Sequence, residues 1–157
     1  MSIARRVLLS GFGFPLAAAA GDLAVLQVAG SIAPPSPRLL DLAALDAIGL
    51  EPLVTRTPWT QGPQHFSGVT LARLLASLGA FGDTLRVVAL NDYAAAMPIA
   101  EVLASDGFLA TRQDGEPIPI RNRGPFWILF PWSERPELFT RIHRQRAVWQ
   151  VKRLEIA

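Results

Sequence analysis

Proline and glycine cut this chain so often that no hydrophobic period runs far. Thirteen prolines and twelve glycines are spread over 157 residues, and each apolar run is interrupted before it could build a long helix. A helical bundle is therefore excluded, and short strands and short helices remain. Half of the residues are hydrophobic, enough for a sizeable core in one domain. The elements show no regular strand–helix–strand repeat. The class expected is α+β, a mixed β-sheet system with short peripheral helices.

Local signals place the elements. Leu23 to Ala29 reads as a strand before the Pro-rich turn Ala33 to Pro37. Ser36 offers a helix cap with Pro37 at the first position; Leu39, Leu42, Leu45 and Ile48 form its stripe and Gly49 ends it. Leu50 to Thr57 is extended and should stop at Pro58. Ser67-Gly68 leads into a helix at Val69 to Leu78, whose Leu71, Leu74, Leu75 and Leu78 share one face. Thr84 to Leu90 reads as a buried strand, Asn91-Asp92-Tyr93 as a turn, and Met97-Pro98-Ile99 as the start of a short helix. Gly107 to Arg112 and Glu116 to Ile120 flank Gln113-Asp114-Gly115, a hairpin signal. Phe126 to Phe130 is an apolar strand, Glu134 to Arg144 a helix, and Ala147 to Ile156 the last strand.

Residues 1–20 read as an export signal. Arg5 and Arg6 precede a short apolar run from Val7 to Leu16, and Ala17 to Ala20 provide small residues before Gly21. A buried N-terminal helix is the alternative, but Gly11, Gly13 and Pro15 interrupt it. Arg5-Arg6-Val7-Leu8-Leu9 loosely fits a twin-arginine signal, beside ordinary export. The expectation is a periplasmic domain over 21–157. Without Arg5 and Arg6 the chain carries thirteen basic and thirteen acidic side chains, so nucleic acid is not an expected partner. The chain has no cysteine, which removes disulfides, zinc–thiolate sites and thiol catalysis.

No nucleophile–base pair is legible, and the carboxylates are scattered. Three polar segments at strand ends remain as candidates. Thr55 to Phe66 carries Arg56, Trp59, Gln61, Gln64 and His65, and reads as a cleft-lining loop or as a capped turn packed on Trp59. Asn91-Asp92-Tyr93 reads as a cleft edge or as an Asx turn. Arg121-Asn122-Arg123-Gly124-Pro125 could grip an anion or end a hairpin in solvent.

Together the segments "FSGVTLARLLASLGA", "VVALNDYAAAMPIAEVL", "LATRQDGEPIPIRNRGPFWILFPW" and "VKRLEI" give a chain that resembles the sulfite-oxidase-type oxidoreductase molybdopterin-binding domain family, in its small exported bacterial form. The resemblance implies the sulfite-oxidase-like fold from Leu23 onward and molybdopterin as cofactor. In catalytic members a cysteine thiolate binds molybdenum. Aligning Trp59 with the family's tryptophan sets Thr55 at that cysteine, and aligning the closing strand sets Trp149 at a lysine near the cofactor. A neutral hydroxyl is a poor replacement for thiolate on this metal, so no metal is expected.

The reading that follows is an exported small-ligand binding or sensory module on the molybdopterin-binding scaffold. The cofactor-binding candidates are Thr55, Arg56, Trp59, His65, Asn91, Asp92, Tyr93, Arg121 and Arg123, holding a pterin or another small anion. No catalytic residue is assigned. The alternatives are a molybdopterin-dependent oxidoreductase, and a structural partner of a membrane protein that would use an exposed Trp132 and the basic Arg141 to Arg146 face.

Overall fold

The computed structural model describes residues 24–157. The export-signal expectation at residues 1–20 lies outside the described residues. The chain is α+β, as expected, with its strands in two sheets.

The first sheet runs in the order β2 (Arg38–Asp41), β1 (Val25–Gly30), β10 (Val151–Ile156), β5 (Thr84–Ala89), β6 (Ala94–Pro98). Its central pairing, β1 with β10, is parallel and joins the two ends of the described chain, with Gln27 opposite Arg153 and Gly30 opposite Ile156. The second sheet is antiparallel, in the order β3 (Glu51–Thr55), β4 (Gln64–Thr70), β7 (Phe108–Gln113), β8 (Glu116–Pro117), with β9 (Trp127–Leu129) also paired to β7. Leu26, Val28, Val87 and Leu154 of the first sheet and Phe66, Val69, Leu109 and Ile128 of the second belong to one buried cluster. Area removed from water drives this junction.

Backbone bonds stitch the sheets where the candidate site lies. Ile128 N–H donates to the Val148 carbonyl (2.8 Å), Gln150 N–H to Arg123 (2.9 Å) and Val151 N–H to Phe126 (2.9 Å). The segment before β10 is thereby held against the segment that enters β9.

Several local signals lose to strand pairing. The helix expected from Ser36 and Pro37 begins only at α1 (Leu42–Gly49), capped by Asp41, which accepts from Ala44 N–H at 2.8 Å. Residues 38–41 pair with β1 instead, and Leu39, read as core, is 67% exposed. The helix expected from Val69 begins at α2 (Leu71–Ser77), capped by Thr70, because Gln64 to Thr70 lies as a strand between β3 and β7. Ala94–Pro98 was not expected as a strand; alanine has little β preference, but these residues pair with β5 before α3 (Ile99–Ala104). The stretch read as one helix over Glu134 to Arg144 is a 3-10 turn at Pro136–Leu138 followed by α4 (Arg141–Arg146), which Thr140 caps.

The hairpin at Gln113 to Gly115 forms as expected, with Asp114 at φ 52 and Gly115 at φ 79, the left-handed pair of a two-residue turn. Trp132, expected at the surface, is buried, and its indole N–H donates to the Leu138 carbonyl at 2.9 Å. A bulky indole with a satisfied N–H packs better under the 3-10 turn than in water. The membrane-partner alternative thereby loses its aromatic anchor.

Candidate functional site

All four tryptophans of the chain belong to one aromatic cluster. Trp59 is its hub, with ring centroids 5.9 Å from Trp127, 6.1 Å from Trp132 and 5.1 Å from Trp149. The rings meet tilted or edge to face, the arrangement that opposes positive edge to negative face. Trp127 is fully buried and Trp149 partly exposed, so the cluster runs from the core to the surface. It surfaces in a cavity of about 350 Å³.

Trp59, Trp149 and Tyr93 supply the aromatic walls of this cavity. Its polar groups are Asn91, Arg144, Gln145 and Gln150. Each element contributes for a local reason. The β5–β6 turn is pinned by the Asn91 side chain, which accepts from Tyr93 N–H at 3.1 Å, and by Asp92 at φ 65; this is the Asx turn that the sequence suggested. The wall before β10 is pinned by Gln150, at φ 51, whose side-chain amide donates to the Ile120 carbonyl at 2.8 Å. The Arg123 guanidinium lies over Trp127 at 5.2 Å and over Trp149 at 5.5 Å. It adds positive charge behind the aromatic wall.

Of the residues singled out in the sequence, Trp59, Asn91 and Tyr93 come together in the cavity, and Arg123 braces its Trp149 wall. Asp92 turns to Lys152 Nζ at 2.7 Å, and that hydrogen bond holds its carboxyl below the ordinary carboxylate value. Thr55, Arg56, His65 and Arg121 do not line the cavity. His65 stands on β4 opposite Val54 in the second sheet, and Arg121 is the middle residue of the exposed 3-10 turn Ile120–Asn122. Sequence reasoning missed Gln145, Gln150 and the part played by Trp149, and had Arg144 only as part of the basic Arg141 to Arg146 face. The signal for Trp149 was present: its position was aligned with a lysine near the cofactor, but the exchange was taken as a lost contact rather than a new wall.

Thr55 is fully buried and its hydroxyl both donates and accepts. It donates to the Arg56 carbonyl at 2.9 Å and accepts from Ser133 N–H at 3.1 Å, while Ser133 Oγ accepts from Arg56 N–H at 2.8 Å. The two bonds to Ser133 lock the end of β3 to the chain beyond β9. A neutral hydroxyl, hard, protonated and already tied into two hydrogen bonds, does not fit a molybdenum ligand that the family draws from a soft thiolate. Among the described residues no group of His, Cys, Asp and Glu gathers to hold a metal. The cavity fits the organic part better: aromatic walls, side-chain amides and a guanidinium suit a flat heterocycle bearing negative charge.

The model of the oxidoreductase molybdopterin binding domain matches residues 44–134. The chain belongs to this family. The match spans Thr55, Trp59, the Asn91 to Tyr93 turn and Arg123, and ends before Arg144, Trp149 and Gln150, which complete the cavity. No curated protein sequence matches the chain. Among solved structures, the sulfane dehydrogenase SoxCD from Paracoccus pantotrophus matches with a TM-score of 0.60 at 18% identity, over 84% of this chain and 37% of that one. This chain thus spans little more than a third of that relative, and the likeness is one of fold. The sulfite-oxidase-type molybdopterin-binding fold expected from the sequence is present.

Proposed function

We propose that this family member is an exported, periplasmic ligand-binding or sensory module that holds a flat anionic heterocycle, such as a pterin, without molybdenum. The observation that carries the reading is the pairing of a three-aromatic cavity with a Thr55 hydroxyl already spent inside the fold. The ring system of the ligand would lie against Trp59, Trp149 and Tyr93, and Arg144 would meet its charge.

Titration with 6-carboxypterin tests the reading, followed by tryptophan emission. Trp59 and Trp149 line the cavity, so saturable quenching is expected. No quenching at millimolar probe would overturn the ligand. Elemental analysis of protein made in a host competent for molybdenum cofactor tests the other half. Near-equimolar molybdenum would replace this reading with the molybdopterin-dependent oxidoreductase, which membership over residues 44–134 supports.

A further inference from the structure

We infer that the groove between β6 and α4 docks an extended acidic peptide, which adds to the sheet edge as a strand and sets one aromatic side chain in the Trp59–Trp149 cavity. The inference rests on the cavity reading only for its anchor.

β6 is an edge strand of the first sheet. Ala89 N–H donates to the Tyr93 carbonyl at 2.8 Å, and the register continues with Val88 opposite Ala94, Val87 opposite Ala95 and Arg86 opposite Ala96. Hydrogen-bonded pairs alternate along an antiparallel ladder. Tyr93, Ala95 and Met97 therefore turn their backbone groups to β5, and Ala94 and Ala96 turn theirs outward. Among the described residues no backbone group outside the ladder meets Ala94 or Ala96. The next outward position is Pro98, which has no N–H to offer.

Other edges of the fold are blunted. β2 is four residues long and carries Arg38 and Asp41, and β3 carries Glu51 and Pro52. Short length, charge and proline are the usual defences of an open edge. β6 carries a proline only at its end, Pro98, and Ala94, Ala95 and Ala96 before it bear neither charge nor proline.

A groove of about 390 Å³ runs along these alanines, with Ile142, Gln145 and Arg146 of α4 as its far wall. Tyr93 and Gln145 line both the groove and the aromatic cavity, so the two are continuous. Charge selects the occupant. Arg146, in the groove, is paired with Glu101 at 2.6 Å, whereas Arg144, at the cavity end, is exposed and, among the described residues, within ion-pair reach of no carboxylate. An extended acidic segment supplies backbone partners for Ala94 and Ala96, a carboxylate for Arg144 and one ring for the cavity. Main-chain bonds would give such a complex its affinity and the side-chain pocket its selectivity.

The test is fluorescence anisotropy of the full chain with a labelled pool of short glutamate- and valine-rich peptides, each with one tryptophan. The same pool N-methylated at alternate backbone positions is the comparison. Saturable binding of the first pool and at least a roughly tenfold weaker binding of the second are expected. Ala96→Pro removes an outward N–H at a position in phase with Pro98, so it should fold. It should lose the peptides by a similar factor while 6-carboxypterin still quenches Trp149. No binding of the unmodified pool, equal binding of both pools, or full peptide affinity in folded Ala96→Pro would overturn the inference. If Ala96→Pro does not fold, the two pools on the unmodified chain still decide. Failure of the carboxypterin titration alone counts against the small-ligand reading and leaves the pool comparison standing.

Discussion

Trp59 and Trp149 meet edge to face, with ring centroids 5.1 Å apart and planes at 81°. One ring comes from the loop after β3 and the other from the segment before β10. Their meeting makes the corner of the cavity, and neither ring alone would form a site. Trp149→Ala should therefore weaken 6-carboxypterin binding by about tenfold, in line with the loss of one aromatic contact. Trp149 is 38% exposed, so the melting temperature should change little. Affinity equal to that of the unmodified chain would remove Trp149 from the site.

Thr55→Val keeps the shape of the side chain and removes its hydroxyl. Ser133 N–H and the Arg56 carbonyl then lose their partner. A loss of about 1–3 kcal/mol in urea unfolding is expected, the cost of leaving buried polar groups unpaired. An unchanged midpoint would show that these groups reach water, and would reopen Thr55 to a ligand role.

Gly68 lies where β4 shifts register against β7, and a Cβ there would collide with the Leu109 carbonyl oxygen. Backbone cannot rotate away as a side-chain tip can. Gly68→Ala should cost about 2–3 kcal/mol by the same unfolding measurement, in the range of overpacked core sites. Gly115→Ala is the contrast in surroundings, since nothing lies within 4 Å of its Cβ position, though its φ of 79 makes the change strained in the backbone. The steric argument fails if Gly68→Ala is neutral.

Stability should fall on mild acidification. Burial first, then Arg146 and Arg135, holds the His143 imidazole below its ordinary pKa of 6.5, with Glu101 opposing. Its ring is tied to Ser105 Oγ at 3.0 Å and Thr140 Oγ1 at 2.8 Å. Between the folded pKa and 6.5 the unfolded chain binds more protons than the folded one, so stability rises with pH through that window and is level above it. Glu155, held down by Arg86, and Asp92, held down by Lys152, act lower: the stability they supply is present above their ordinary values of 4.5 and 3.8 and is lost as pH falls below them. Melting temperatures across this range check both steps. His143→Gln should flatten the upper one alone, and a variant with the same slope would assign it elsewhere.

Much of this fold is written in local signals. Gln113-Asp114-Gly115 makes its hairpin because the turn needs left-handed backbone, and Asp and Gly tolerate it. Leu71, Leu74, Leu75 and Leu78 are buried as their spacing requires. The Asx turn at Asn91 follows from one short side chain reaching its own backbone. Trp59 and Tyr93 could likewise be named as cavity walls, since both stand in polar segments at strand ends.

Non-local pairing decided the rest. Ser36-Pro37 is a sound helix start by itself, yet β1 offers residues 38–41 a ladder and the helix waits for Asp41. Ala94 to Pro98 has no strand character until β5 lies beside it. Trp132 and Trp149 are both bulky indoles near polar residues, and no pattern says that the first is buried with its N–H bound to Leu138 while the second faces a cavity. That difference is set by the backbone bonds from Ile128, Gln150 and Val151 across to Val148, Arg123 and Phe126. Composition and spacing fix periodicity and turn chemistry, which act over a few residues; which surfaces meet depends on contacts between segments far apart in the chain, and those exist only once the sheets have closed.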